Sequence, residues 1–269
     1  MSAAISDLLR QGKLHDAVAA ATAAVRAAPV AAPPRLLLAE LLLLAGDLAR
    51  ADTALNAAVA VDASLSPGIA EFRQLLRAET ARRQVLQEGR MPEFLGRPEP
   101  HQVQALAALV ALHANDAEGA APAAEAAEAA RPRCRGRHAG PGRHGDVAFD
   151  DIRDADDILA GTLEVLTTTG KLFWVPFARI ERVAFDPPRR PRDLAWRRAA
   201  LTVRGGPDGV VYVPSFYGPH GGDTDAHRLG HATSWSEGPG PVRGHGQRLF
   251  MLGEEAAGAL ELTMLTFTP

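Results

Sequence analysis

The sequence predicts an α+β protein in two parts: an N-terminal array of tetratricopeptide-like (TPR-like) helical hairpins, then a smaller β-rich domain. Three observations predict it. The aromatics are segregated: of 9 Phe, 3 Trp and 2 Tyr, only Phe72 and Phe94 precede Phe149. The first half is dominated by Ala and Leu, strong helix formers. The second half carries the Val, Thr, Trp and Tyr that suit pleated strands. Third, the first half repeats itself. Leu8-Leu9, Gly12, Leu14 and Ala17 recur as Leu42-Leu43, Gly46, Leu48 and Ala51, 34 residues later, which is the TPR period.

Each repeat reads as two antiparallel helices around a tight turn. Gly12 and Gly46 supply the positive φ of that turn, and Ala17 and Ala51 let the helices approach closely. A degraded third copy starts at Leu112, with Asn115 in the glycine position as a residue tolerant of the left-handed region. An Ala-rich helix follows and ends at Pro132. Between the copies, Ile69 to Glu88 reads as one long helix with Phe72, Leu75, Leu76, Val85 and Leu86 at helical spacing. Arg73, Arg77, Glu79, Arg82 and Arg83 are assigned to its other face. Gly89 and Pro92 end it.

The expected boundaries are a helical domain over 1–130, a basic Gly/Pro linker over 131–147 and a β-rich domain over 148–269. The linker, Arg131 to Gly145, combines Gly, Pro and like charge, and is expected to hold no packed element. Beyond it, strands are expected over 161–170, 171–175, 177–185, 199–204, 209–213, 248–252 and 260–267. Residues 218–246 are rich in Gly, Pro and His and read as loops.

Several function classes find no support. The formal charge is −3, which provides no general field for nucleic acid or an anionic membrane. No apolar run approaches the roughly 18 residues of a spanning helix, and the N-terminus lacks a signal-like pattern. The single cysteine, Cys134, permits no internal disulfide. A cytoplasmic location is expected. There is no Gly-x-Ser-x-Gly elbow and no Walker loop. Catalytic residues, cofactors and metal ligands are therefore expected to be absent.

Weaker signals remain. Gly238 to Arg248 could offer backbone N–H groups and Arg243 and Arg248 to an anion, although such stretches are commonly structural loops. His227 and His231 have the i, i+4 spacing of a zinc pair but lack a third ligand. Cys134 and His138 could touch a metal transiently. The linker arginines could meet phosphate but lack interleaved aromatics. Asp150, Asp151, Asp154, Asp156 and Asp157 lack calcium-loop register, and read as charge compensation for the Arg run. Trp174, Phe177 and Trp196 read as β-domain core rather than pocket lining. What stands is a helical-repeat surface suited to holding a partner's helix or peptide.

The order of motifs is more specific. Phe72-Arg-Gln-Leu-Leu-Arg77-Ala-Glu79 leads to Gly89, Pro92 and Leu95-Gly96. Then come Asp150-Asp-Ile-x-Asp154-Ala-Asp156-Asp, Trp174-Val-Pro-Phe177-x-Arg179-Ile, Pro191-Arg-Asp-Leu-x-Trp196, Val213-Pro, Leu229-Gly-His and Gly244-His-Gly-Gln-Arg248. This string resembles the ImpE family, also called the SciE-type or TagJ family, accessory proteins of bacterial type VI secretion systems. The resemblance runs over nearly the whole chain, and departs from the family in the basic 131–147 segment and at His227 and His231. It implies a non-enzymatic virulence-associated adaptor that binds the N-terminal helix of the small contractile-sheath subunit (TssB) and tunes sheath assembly or recycling. Arg73, Arg77, Glu79 and Arg82 are the expected partner-binding residues, pairing with the charged rim of that helix. The alternative is an anion-sensing or hydrolytic C-terminal domain working through Gly238–Arg248.

Overall fold

The computed structural model describes residues 3–140 and 145–268. The first half is helical: α1 (Ala3–Arg10), α2 (Leu14–Ala27), α3 (Ala32–Leu44), α4 (Leu48–Val61), α5 (Ser66–Glu88), α6 (Pro100–His113) and α7 (Ala117–Ala130). The repeat is physical. Gly12, Gly46 and Asn115 have φ of 75°, 84° and 59°. At each, two backbone bonds close the helix end in one pattern: Gly12 N–H to the Leu9 carbonyl and Lys13 N–H to Leu8, then Gly46 to Leu43 and Asp47 to Leu42, then Asn115 to Leu112 and Asp116 to Ala111. This is the Schellman arrangement, whose left-handed residue is ordinarily Gly and sometimes Asn. The next residue caps the following helix in two copies, Asp47 accepting from Arg50 N–H and Asp116 from Gly119 N–H. Ala17, Ala51 and Ala120 are fully buried where the paired helices touch.

The second half holds β1 (Gly136–Ala139), β2 (Val147–Phe149), β3 (Ile152–Asp154), β4 (Thr162–Leu166), β5 (Leu172–Pro176), β6 (Ile180–Phe185), α8 (Arg192–Ala195), β7 (Trp196–Val203), β8 (Asp208–Pro214), α9 (Asp225–Arg228), β9 (Thr233–Trp235), β10 (Gly244–Gly246), β11 (Leu249–Leu252), β12 (Glu255–Gly258) and β13 (Met264–Phe267). Eight strands form one antiparallel sheet in the order β2-β1-β13-β6-β7-β8-β4-β5. A three-stranded sheet runs β12-β11-β3, and β9 and β10 make a ribbon.

Both faces of the large sheet are covered, so its side chains divide with period two. Leu172 and Trp174 of β5 join the helical core with Phe72, Leu75 and Leu76 of α5, whereas Phe173 and Val175 face the opposite side. There Leu163, Val165 and Leu201 meet Phe250 and Leu252 of the small sheet. The helical array and the large sheet thus share a core, with α5 between them. Trp196 packs edge-on against Phe72, centroids 5.8 Å apart.

The expectation of an unpacked linker over 131–147 is corrected. Residues 136–139 form β1, which pairs with β13 on one side and β2 on the other. The first charge of the run is neutralised where it is buried, and the other described arginines of the run stay in solvent. The Arg131 guanidinium is buried and donates to both oxygens of Asp151 (2.9 and 2.8 Å) and both of Glu128 (3.0 and 2.7 Å). Cys134 and His138 point inward while Arg137 stays exposed. Residues 141–144 of that segment lie outside the described residues. The loop-rich reading of 218–246 holds except for α9, β9 and β10.

Candidate partner interface

The four residues expected on one exposed face of α5 divide into two pairs. Glu79 and Arg82 are buried, which corrects their assignment to a solvent-facing rim. Trp196 donates its indole N–H to Glu79 Oε2 (3.2 Å), and Arg82 Nη1 lies 3.6 Å from Glu79 Oε1. Arg82 Nε donates to Glu164 Oε2 (2.8 Å) and Nη2 to the Phe216 carbonyl (2.9 Å). The same Glu164 oxygen accepts from Arg248 (3.2 Å), which also donates two bonds to Asp154 Oδ2 (2.9 and 2.6 Å). Tyr217 O–H donates to the other oxygen of Asp154 (3.0 Å). This ionic chain is sealed: Arg248, Asp154 and Glu164 are each 0% exposed. It joins α5 to β3, β4 and the start of β11.

Arg73 and Arg77 do face outward. Arg73 holds Asp52 of α4 with two bonds (2.7 and 3.1 Å). Arg77 is exposed and reaches Gln74 Oε1 at 3.4 Å; among the described residues it pairs with no carboxylate. Both line a groove of about 810 Å³ between the α4 N-terminus and α5. Leu48, Ala49 and Leu76 supply its apolar surface, and Arg83, anchored on the Gly46 carbonyl (2.8 Å), adds a third guanidinium. Asp47, Asp52 and Glu88 line the same groove, Asp52 already held by Arg73, so the rim is of mixed charge. An apolar floor inside such a rim is chemically suited to an amphipathic helix.

The Gly238–Arg248 loop does bind anions, but they are the protein's own. Arg243 Nε and Gly244 N–H both donate to Asp156 Oδ2 (2.9 and 3.0 Å), and Val242 N–H donates to Asp157 (2.7 Å). With Arg248 committed to Asp154, both guanidinium groups of the anion-sensing reading are engaged by the protein's own carboxylates. The acidic cluster is likewise explained: Asp151 pairs with the Arg run, Asp154 and Asp156 with this loop. Gly244 is required by close approach, since a Cβ there would stand 2.2 Å from the Tyr217 ring.

The remaining candidates are structural. His227 turns to Thr224 and Ser234, while His231 stands beside Gly12; the pair does not converge. Cys134 is buried and its thiol is pushed up to about 11, first by burial and then by Asp151, which keeps it a thiol. His138 is held by the Gly145 carbonyl and Thr263. Trp174, Phe177 and Trp196 are core. Sequence reading missed Glu164 and the pairing of Asp154 with Arg248, 94 residues apart, because nothing local marks them. For Glu79 and Arg82 a signal existed, in their helical phase.

Comparison with known proteins gives matches of three kinds. The family described as ImpE protein matches residues 146–266. The type VI secretion system accessory component TagJ of Pseudomonas aeruginosa is 34% identical over 266 residues, covering 98% of this chain and 90% of that protein. The crystal structure of protein VPA1032 from Vibrio parahaemolyticus superimposes with a TM-score of 0.89 at 27% identity, covering 98% of this chain and 97% of that one. No described helix is long and apolar enough to cross a membrane. With the helical array, the sheet and the Gly244–Arg248 motif all accounted for in one arrangement, the chain belongs to the ImpE/TagJ family of type VI secretion accessory proteins.

Proposed function

We propose that this protein is a non-enzymatic adaptor of a type VI secretion system. It holds the N-terminal helix of the small sheath subunit (TssB) in the α4–α5 groove and thereby tunes sheath assembly or recycling. The observation that carries this reading is the groove itself: about 810 Å³, apolar at Leu48 and Leu76, rimmed by Arg73 and Arg77. It opens beside the Gly46 turn of the helical array, and the similar Pseudomonas protein is an accessory component of such a system. Arg77 is the residue best placed to meet a partner carboxylate, because no carboxylate of its own chain engages it among the described residues. Arg73 would exchange part of its bond to Asp52 for the partner.

Calorimetric titration of the full-length protein with the N-terminal helix peptide of the cognate small sheath subunit tests this. Saturable micromolar binding is expected. Arg77→Glu should weaken it by about tenfold, about 1.4 kcal/mol, through lost attraction and new repulsion at the rim. Absence of heat and of any mobility change on mixing would overturn the adaptor reading. Binding that ignores the charge reversal would move the site off this groove.

A further inference from the structure

Away from α5, two stretches of chain bring three metal-ligating side chains together. His220 and Asp223 lie on the turn between β8 and α9; His245 is the middle residue of β10. Their ligand atoms all lie within 4.8 Å of one another, and no other three His, Cys, Asp or Glu side chains converge in this way among the described residues. The imidazoles of His220 and His245 have centroids 4.1 Å apart.

The surroundings are built. Asp223 Oδ2 accepts from His220 N–H (2.7 Å), and Gln87 of α5 donates to the Pro219 carbonyl (2.8 Å), fixing the turn. β10 is held by β9 with His245 opposite Ser234. Two donor atoms of the cluster, Asp223 Oδ1 and His245 Nδ1, are buried without a hydrogen-bond partner. A buried carboxylate oxygen left in that state is unfavourable, and one cation shared by both atoms removes the cost. Burial first, and then the neighbouring His220, hold His245 below the usual histidine range; the neutral imidazole is the metal-binding form. The nearby Arg243 is engaged by Asp156.

We propose that His220, Asp223 and His245 form a binding site for one divalent transition-metal ion of the zinc class, with an open position facing the adjoining cleft of about 410 Å³. Two imidazoles and one carboxylate are the donor set of open zinc and non-haem iron sites. Bonds of about 2.0–2.2 Å put tetrahedral ligands about 3.3–3.6 Å apart, so ligand atoms within 4.8 Å of one another close by at most about 1.5 Å on binding. Gly221 and Gly222 give the turn that freedom. A metal on His220 Nε2 leaves the proton on Nδ1 and displaces the Gly222 N–H contact, a bond of 3.2 Å. The ion would clip the turn after β8 onto β10.

The test is calorimetric titration of tag-free, chelator-treated full-length protein with zinc chloride. Cobalt(II) serves as a spectroscopic probe of coordination. One saturable equivalent per chain is expected, with a rise in melting temperature that a chelator reverses. His245→Ala and Asp223→Asn should each weaken binding at least about tenfold, while His227→Ala retains it. Metal-free melting temperatures equal to the parent's establish that the variants fold. Absence of saturable binding would overturn the proposal. So would one-equivalent binding unaffected by His245→Ala and Asp223→Asn, or lost equally in His227→Ala.

Discussion

Glu164 stands at the centre of the buried ionic chain. Its Oε2 receives both Arg82 and Arg248, and its Oε1 has no partner. Removing one cation therefore leaves a carboxylate without full compensation in a site 0% exposed. Breaking such a pair costs about 3–5 kcal/mol. Arg82→Ala is expected to lower unfolding free energy by that amount in urea denaturation. Arg77→Ala, five residues away in the same helix, should change it by no more than about 0.5 kcal/mol. Equal effects from the two would refute the division of α5 into a structural and an exposed pair. That division was legible in the sequence. At 100° per residue, Glu79 and Arg82 fall about 20° and 80° from Phe72, on the side of Leu75 and Leu86. Arg73 and Arg77 fall about 100° and 140° away, on the other side. Sorting by polarity hid what sorting by phase displays: the buried stripe of α5 is partly ionic.

At the scale of elements, α3 meets α8 through another buried carboxylate. Glu40 is 8% exposed, with Arg190 at 3.8 Å. Burial raises its pKa to about 7, against the smaller opposing pull of Arg190 and Arg192. The folded state thus binds a proton that the unfolded state has released. Stability from this group is full below about pH 4.5 and is lost as pH rises through about 7. Glu40→Gln removes that dependence. The stability difference between parent and variant should therefore shift in the variant's favour from pH 4.5 to pH 8, followed by thermal melts across that range. A difference independent of pH would show that Glu40 is ionised throughout. Elements differ in how far sequence displays them. The helix turns are written in Gly12, Gly46 and Asn115, and the longer strands in their alternation. β1, β3, β9, β10 and β12 run for three or four residues, too short for any period to show. They are defined by their pairing across the fold, as β1 is by β13.

For the whole molecule, the relation between its two halves is what composition could not reveal. A change from Ala/Leu to Val/Trp suggests two bodies joined by a tether, yet the apolar face of α5 is completed by the sheet. Phe72 packs on Trp196, Glu71 accepts from Tyr212 O–H (2.6 Å), and α9 reaches back so that Asp225 accepts from His15 N–H (2.9 Å). α8 likewise packs on α3. Part of the inner surface expected of an open TPR array is thereby filled by the chain's own C-terminal half, which is why the proposed partner site is the groove outside it, between α4 and α5. The helical segment 1–130 produced alone would expose Phe72, Leu75 and Leu76 and strand Arg82 without Glu164. Each large apolar side chain returned to water costs about 1.5–3 kcal/mol, so a few of them rival the whole stability of an ordinary domain. The segment should retain helical circular dichroism but unfold at lower urea with a broad transition, and its α5 amides should exchange faster than in the full chain. A sharp transition at the full-length midpoint would instead make the array a self-sufficient domain. The sheet would then be a passenger on α5 rather than half of its core.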